Sequence, residues 1–186
     1  MGPAAPSLVA AAGALIDTGR WVEADEHLEK AAALAAVHKW RHLQIDVEAL
    51  RVTLRALRGE PVDTTADPGW TAVGLEENRA THARILRAAG TVAGAAGDFD
   101  NAFRQSGRCS MTMAPPCTTS CHRGRSPTSA AAAQRTGRQE EAAHILAVGA
   151  RRDGAGPTTW MTLLMHHAAA RPATRRTPNS ISGSPR

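Results

Sequence analysis

The chain has 186 residues and a formal net charge of +5, and its apolar fraction of 42% is led by alanine, with only two Phe, four Trp and no Tyr. That length suits one domain or one short repeat array, and the scarcity of large and aromatic side chains argues against a sheet. The charge is lopsided, a net −3 over residues 1–105 and a net +8 over residues 106–186, which argues against a nucleic-acid footprint spread over the whole molecule.

In chain order, Pro6 and Ser7 predict the start of a first helix, with Ser7 as N-cap, running to Thr18. A second helix carries Trp21, Ala24, Leu28, Ala31 and Ala35 at steps of three and four, a single apolar stripe. A third carries Trp40, Leu43, Val47, Leu50, Leu54 and Leu57 on the same rhythm and stops near Gly59-Glu60-Pro61. Residues 59–70 hold Pro61, Asp63, Asp67, Pro68 and Gly69 and read as a loop. The fourth helix is expected from about Leu75 to Ala96, with Ile85, Ala89, Val92 and Ala96 on one face; Glu76, Glu77 and Asn78 at its start complement the helix dipole. A fifth begins near Phe99 and is soon interrupted, and later helices are expected at Ala130–Arg135, Gln139–Ala150 and Thr158–Ala170.

Three of the junctions share the pattern Gly-x-x-x-x-Ala: Gly19 to Ala24, Gly97 to Ala102 and Gly137 to Ala142. Their spacings are 78 and 40 residues, and a helix-pair repeat of roughly 34–45 residues places one such turn in each unit, leaving room for a degenerate unit in the wider gap. Glycine ends one helix in a left-handed turn. The residue two places on fills the gap between helices, and the alanine lets them approach. The expected fold class is therefore all-α, with TPR-like helix-turn-helix repeats forming an α-solenoid interrupted by irregular segments. The expected divisions are 7–105 as helical repeats, 106–129 as irregular or disordered, 130–170 as further helices and 171–186 as a disordered tail.

Segments 106–129 and 171–186 differ in character from the rest. The first contains all three cysteines and no acid, Leu, Ile or Val. Seven arginines lie in these two acid-free stretches: Arg108, Arg123 and Arg125, then Arg171, Arg175, Arg176 and Arg186. A GC-rich back-translation displaced by one base yields helical, repeat-like sequence at both places, so we read the two segments as frame-shifted. Single-base insertions or deletions relative to close relatives are the expected finding in the gene.

Candidate chemical motifs are weak. Cys117, Cys121 and His122, with Cys109 eight residues before the first of them, do not make the defined four-ligand spacing of a structural zinc site, and three cysteines do not make a disulfide framework. His166 and His167 have no acid at metalloprotease spacing. Gly90, Gly94 and Gly97 lack the Lys-Ser/Thr ending of a phosphate loop, and no lysine follows Lys39. We therefore assign no catalytic, cofactor-binding or metal residues, expect no cofactor, and expect a chain that is not an enzyme. Trp21, Leu28, Trp40 and Leu43 are expected to be packing residues. No run reaches the ~18 apolar residues of a membrane span, and the apolar stretch from Met1 to Ala14 lacks the basic start of a signal peptide; the expected location is cytoplasmic, with no membrane partner.

The runs LIDTGRWVEADEHLEKAAALA, ALRVTLRALRGEP, GLEENRATHARILRAAGTVAGAAGDFDNAFRQ and AAAAQRTGRQEEAAHILA, with the later PTTWMTLLMHHAAA, resemble the TPR-like region of large ATP-binding LuxR-family regulators of actinobacteria, members of the STAND class. The resemblance covers most of residues 7–170 apart from 106–129. It implies the sensor and scaffold part of a transcriptional regulator, binding a protein or small-molecule ligand on the repeat surface and meeting DNA only through a domain outside this chain. The phosphate loop and the LuxR-type helix-turn-helix of that family are not found here, so no ATP-binding or DNA-binding residue carries over, and the reading includes the case of a truncated, non-functional product. The alternative is a small stand-alone basic helical DNA-binding protein using the arginine-rich tail, which a sequence-specific, salt-dependent gel shift would reveal.

Overall fold

Five helix ends are closed in the same way. At residues 18–20, 38–40, 58–60, 96–98 and 136–138 the backbone turns out of the helix through a residue of positive φ: Gly19, Lys39, Gly59, Gly97 and Gly137. In each, the amide after that residue donates to the carbonyl five positions back: Arg20 to Leu15, Trp40 to Ala35, Glu60 to Arg55, Asp98 to Ala93 and Arg138 to Ala133. This paired closure satisfies carbonyls that the helix end would otherwise leave without donors. The sequence pattern identified three of the five. Gly59 had been read only as a helix stop, and the turn at Lys39 has no glycine to betray it.

The structure, a computed structural model, describes residues 5–62, 70, 78–112, 127–138 and 140–141. Among these residues it is entirely helical, with no strand: α1 (Ala5–Asp17), α2 (Trp21–Val37), α3 (Arg41–Leu57), α4 (Arg79–Ala95), α5 (Phe99–Thr112) and α6 (Pro127–Arg135). No helix is long and apolar enough to cross a membrane, among the residues described. The expected helices at Gln139–Ala150 and Thr158–Ala170 and the tail at 171–186 lie outside the described residues, apart from helical residues 140 and 141.

The first core is built as the α2 stripe predicts. Ala24, Leu28, Ala31 and Ala35 are buried, and they meet Leu8, Val9, Ala12 and Ile16 of α1 and Leu43, Val47, Leu50 and Leu54 of α3. Trp21, two places after the turn glycine, packs at the edge of this cluster, and Phe99 holds the same position against the cluster around Ala102 and Phe103. Ala24 and Ala102, five places after their glycines, are both completely buried. The alanines leave the helix backbones close, so apolar area is removed from water with little side-chain entropy lost.

α3 has two buried faces rather than one. Ile45, Ala49 and Val52 lie off the expected stripe and pack instead with Ile85 and Ala88 of α4, bordered by Val62, Trp70 and Val92. The extremes of the expected stripe fall outside the core: Leu57 is exposed, and Trp40 is 46% exposed. Trp40 is the N-cap of α3 and stacks on His38, so it is not the packing residue the spacing suggested. A residue at a helix cap has left the helical screw, and its side chain no longer follows the stripe.

Helix boundaries differ from the expected ones at α1, α4, α5 and α6. Ser7 lies inside α1, which begins by Ala5, so it is not the N-cap. Helix α4 starts at Arg79, capped by Asn78, whose side-chain oxygen accepts from the Thr81 amide at 3.1 Å. Its buried positions are Thr81, Ala83, Ile85, Leu86, Ala88, Gly90, Thr91 and Ala93, because it is flanked by α3 on one side and α5 on the other. Of the expected face only Ile85 is fully buried, and Ala96 is exposed. Helix α5 continues through Thr112 and α6 begins at Pro127, so residues 106–112 and 127–129, expected to be irregular, are helical. The anchor is local: Ala102 and Phe103 are buried, and the Ser106 hydroxyl donates to the Ala102 carbonyl at 2.9 Å.

Gly90 marks the closest approach of α4 and α5. A Cβ there would meet the Ala102 carbonyl oxygen and the Gln105 Cβ, each at 3.4 Å, and the Ser106 Oγ at 3.6 Å. Gly90→Leu is expected to push these helices apart and lower stability by about 1–3 kcal/mol, read as a shifted midpoint in chemical denaturation. Gly90 is thus a packing glycine rather than part of a phosphate loop.

Candidate functional site

Several charged side chains of the helical body join helices. Arg58, at the end of α3, reaches Asp25 of α2 at 2.6 Å and donates to the Trp21 carbonyl at 3.3 Å. Arg51 pairs with Glu29 at 2.6 Å, Arg84 with Asp46 at 2.8 Å, and Arg87 with Asp17. Arg138 pairs with Asp100 at 3.4 Å and lies over the Phe103 ring, while Arg135 lies over Phe99. Arg20 binds Glu23 across one turn, and that hydrogen bond holds the Glu23 carboxyl below the usual carboxylate range; the pair lies at the surface and contributes little to stability.

The α2–α3 junction is built differently. From Ala36 to His42 every residue is exposed. Val37 is 76% exposed, and the rings of His38 and Trp40 stack with centroids 4.5 Å apart and planes 19° from parallel. Lys39 between them has φ 54°, the one non-glycine residue among those described with positive φ. Arg41 and His42 occupy the first turn of α3, where a cation opposes the helix dipole. Trp40 supplies no side-chain cap. The ion pairs of the described residues include neither Lys39 nor Arg41. No acidic residue occurs between positions 30 and 45. The result is a protruding turn that carries an aromatic pair, an aliphatic side chain and two free cations.

Holding lysine where four equivalent turns hold glycine costs stability. The left-handed conformation is unfavourable by roughly 1–2 kcal/mol for a residue with a Cβ, and glycine loses roughly 0.4–1 kcal/mol more backbone entropy on folding. Lys39→Gly is therefore expected to stabilise the chain by about 0.5–1 kcal/mol, seen as a higher Tm. The turn was legible indirectly: position 39 lies midway between Gly19 and Gly59.

The other candidate groups fall as follows. Cys109 lies on α5, while Cys117, Cys121, His122, His166 and His167 lie outside the described residues, as do Glu76 and Glu77. Among the described residues no group of three or more His, Cys, Asp or Glu could hold a metal ion. Gly97 serves the α4–α5 turn.

His82 is a titratable group that sequence reasoning passed over. Its Nδ1 is buried with no hydrogen-bond partner, and burial, then the nearby charge of Arg108, pushes the imidazole below its ordinary value of 6.5. The unfolded chain therefore takes up this proton first. The stabilisation that neutral His82 provides is fully present above about pH 6.5 and is lost as the pH falls towards the lower folded value. Denaturation midpoints should decline on acidifying below about pH 6.5, and His82→Gln should remove that part of the decline.

No family model matches the chain, and neither curated proteins nor solved structures provide a match.

Proposed function

We propose that this chain is a TPR-like helical-repeat scaffold that binds a protein or small-molecule partner and has no catalytic activity of its own. The observation that carries the reading is the recurrence of one turn and one packing order. The turn recurs at intervals of 20, 20, 38 and 40 residues. α1 packs most on α2, α2 less on α3, and α1 least on α3; α4, α5 and α6 repeat that order. Two antiparallel helices per unit, each unit touching the next, would produce it. α3 and α4 depart from it by packing as closely as helices within a pair. Asp46 and Arg84 are each the sixth residue of their helix, which suits like helices of successive units running in the same sense.

The resemblance of the quoted runs to LuxR-family regulators places this scaffold, in our reading, as the cytoplasmic sensor part of an actinobacterial transcriptional regulator. Reading the genomic DNA on both sides tests that assignment. A phosphate-loop ATPase upstream and a helix-turn-helix downstream, in any frame, are the expected finding; unrelated flanking genes would remove the regulator assignment.

A further inference from the structure

The α2–α3 turn combines features that folding alone does not call for. A glycine at position 39 and an acid in the first turn of α3 would each be more stable, yet Lys39, Arg41 and His42 stand there. Trp40 and Val37 leave apolar surface in water beside them. Arg51, Arg58, Arg84 and Arg87 meet carboxylates on neighbouring helices; Lys39 and Arg41 meet none among the described residues. The charge complementarity points to an anionic partner, and the exposed Trp40 and Val37 add an apolar contact to it.

The size and surroundings of the patch decide between kinds of polyanion. Nucleic-acid binding draws its affinity from neutralising many phosphates along a strand, and this turn offers two unpaired cations, Lys39 and Arg41. Further back along α2 stand exposed Glu26 and Glu29, the latter paired with Arg51, and residues 1–105 carry a net −3. A long phosphate backbone would leave most of its charges without a cation at this turn. A short acidic stretch of polypeptide would not. We infer that the α2–α3 turn docks an acidic peptide segment of a partner protein, whose carboxylates pair with Lys39 and Arg41 while one of its apolar or aromatic side chains packs on Trp40 and Val37. This inference rests on reading the chain as a partner-binding scaffold and names the partner's chemistry.

A library of random peptides displayed on phage and selected against the immobilised full chain tests it, followed by titration of a selected peptide in solution. The expected peptides are rich in Asp and Glu with an embedded Phe, Trp or Leu. Their binding should weaken about tenfold or more in Trp40→Ala and in a Lys39→Gly, Arg41→Gln double variant, and should weaken with added salt. Lys39→Gly alone should raise the Tm while lowering affinity, so loss of binding in that variant cannot be loss of fold. Selected peptides that bind all these variants equally would overturn the docking site and leave the scaffold reading standing. Failure of the wild-type chain to select any peptide would count against both. Tighter binding of a single-stranded oligothymidylate than of the peptides would replace the acidic segment with nucleic acid and overturn the proposal.

Discussion

Arg84→Met is expected to destabilise the chain by about 3–5 kcal/mol. Asp46 lies on the buried side of α3, with its Oδ2 2.8 Å from the Arg84 guanidinium. Its Oδ1 is buried and has no hydrogen-bond partner among the described residues. The carboxylate thus depends on one cation for its compensation. Removing that cation leaves a largely buried carboxylate without its partner. Replacing both partners, as in Asp46→Leu with Arg84→Met, takes the charge away together with its need for compensation, and the double variant should recover most of the loss. Chemical denaturation of the two single variants and the double variant forms a double-mutant cycle. Equal midpoints for Arg84→Met and wild type would show that the pair has no structural role. With ordinary domain stabilities of about 5–15 kcal/mol, that loss is a large share of the total.

Leu28→Ala should cost about 2–5 kcal/mol, towards the upper part of that range. Leu28 is completely buried, with α1 and α3 both contributing to the cluster around it. Many of its neighbours are alanines, which have no rotamers with which to fill a cavity. Leu57→Ala is the matched control: the same chemical change at an exposed position of α3 should stay within about 0.5 kcal/mol. Thermal unfolding of the two variants side by side checks the contrast, and comparable losses would mean that α2 is not the centre of the first core.

Legibility in the sequence followed the range of the forces involved. The α2 stripe was readable because each of its apolar positions faces one composite surface, and a period of 3.6 projects directly onto the chain. The turns at Gly19, Gly97 and Gly137 were readable because glycine is the residue that most easily adopts positive φ. The Lys39 turn has the same backbone but lacks that marker, so the break between the second and third helices carried no turn signature and Trp40 was counted with the third helix. Trp40 was misplaced for the same reason, since its spacing matched a stripe that ends before it. The ends of α5 and α6 were missed because the stretch between them lacks Leu, Ile and Val, although the contact with α4 through Gly90 and Ala102 can hold a helix without them. The two-faced burial of α3 and α4 was not readable at all, because it depends on which helix comes to lie on the second side.

By itself the sequence determined the helical class, the position of most helices, the apolar stripe of α2 and the three glycine turns, all local consequences of periodicity and backbone freedom. Tertiary structure alone decided that α3 and α4 pack directly on each other, that Asp46 and Arg84 are enclosed between them, and that the basic–aromatic turn at residues 37–42 is left uncovered. Those features arise between residues far apart in the chain. Burial and charge pairing depend on distance in space, and neither spacing nor composition encodes that distance until the helices have docked.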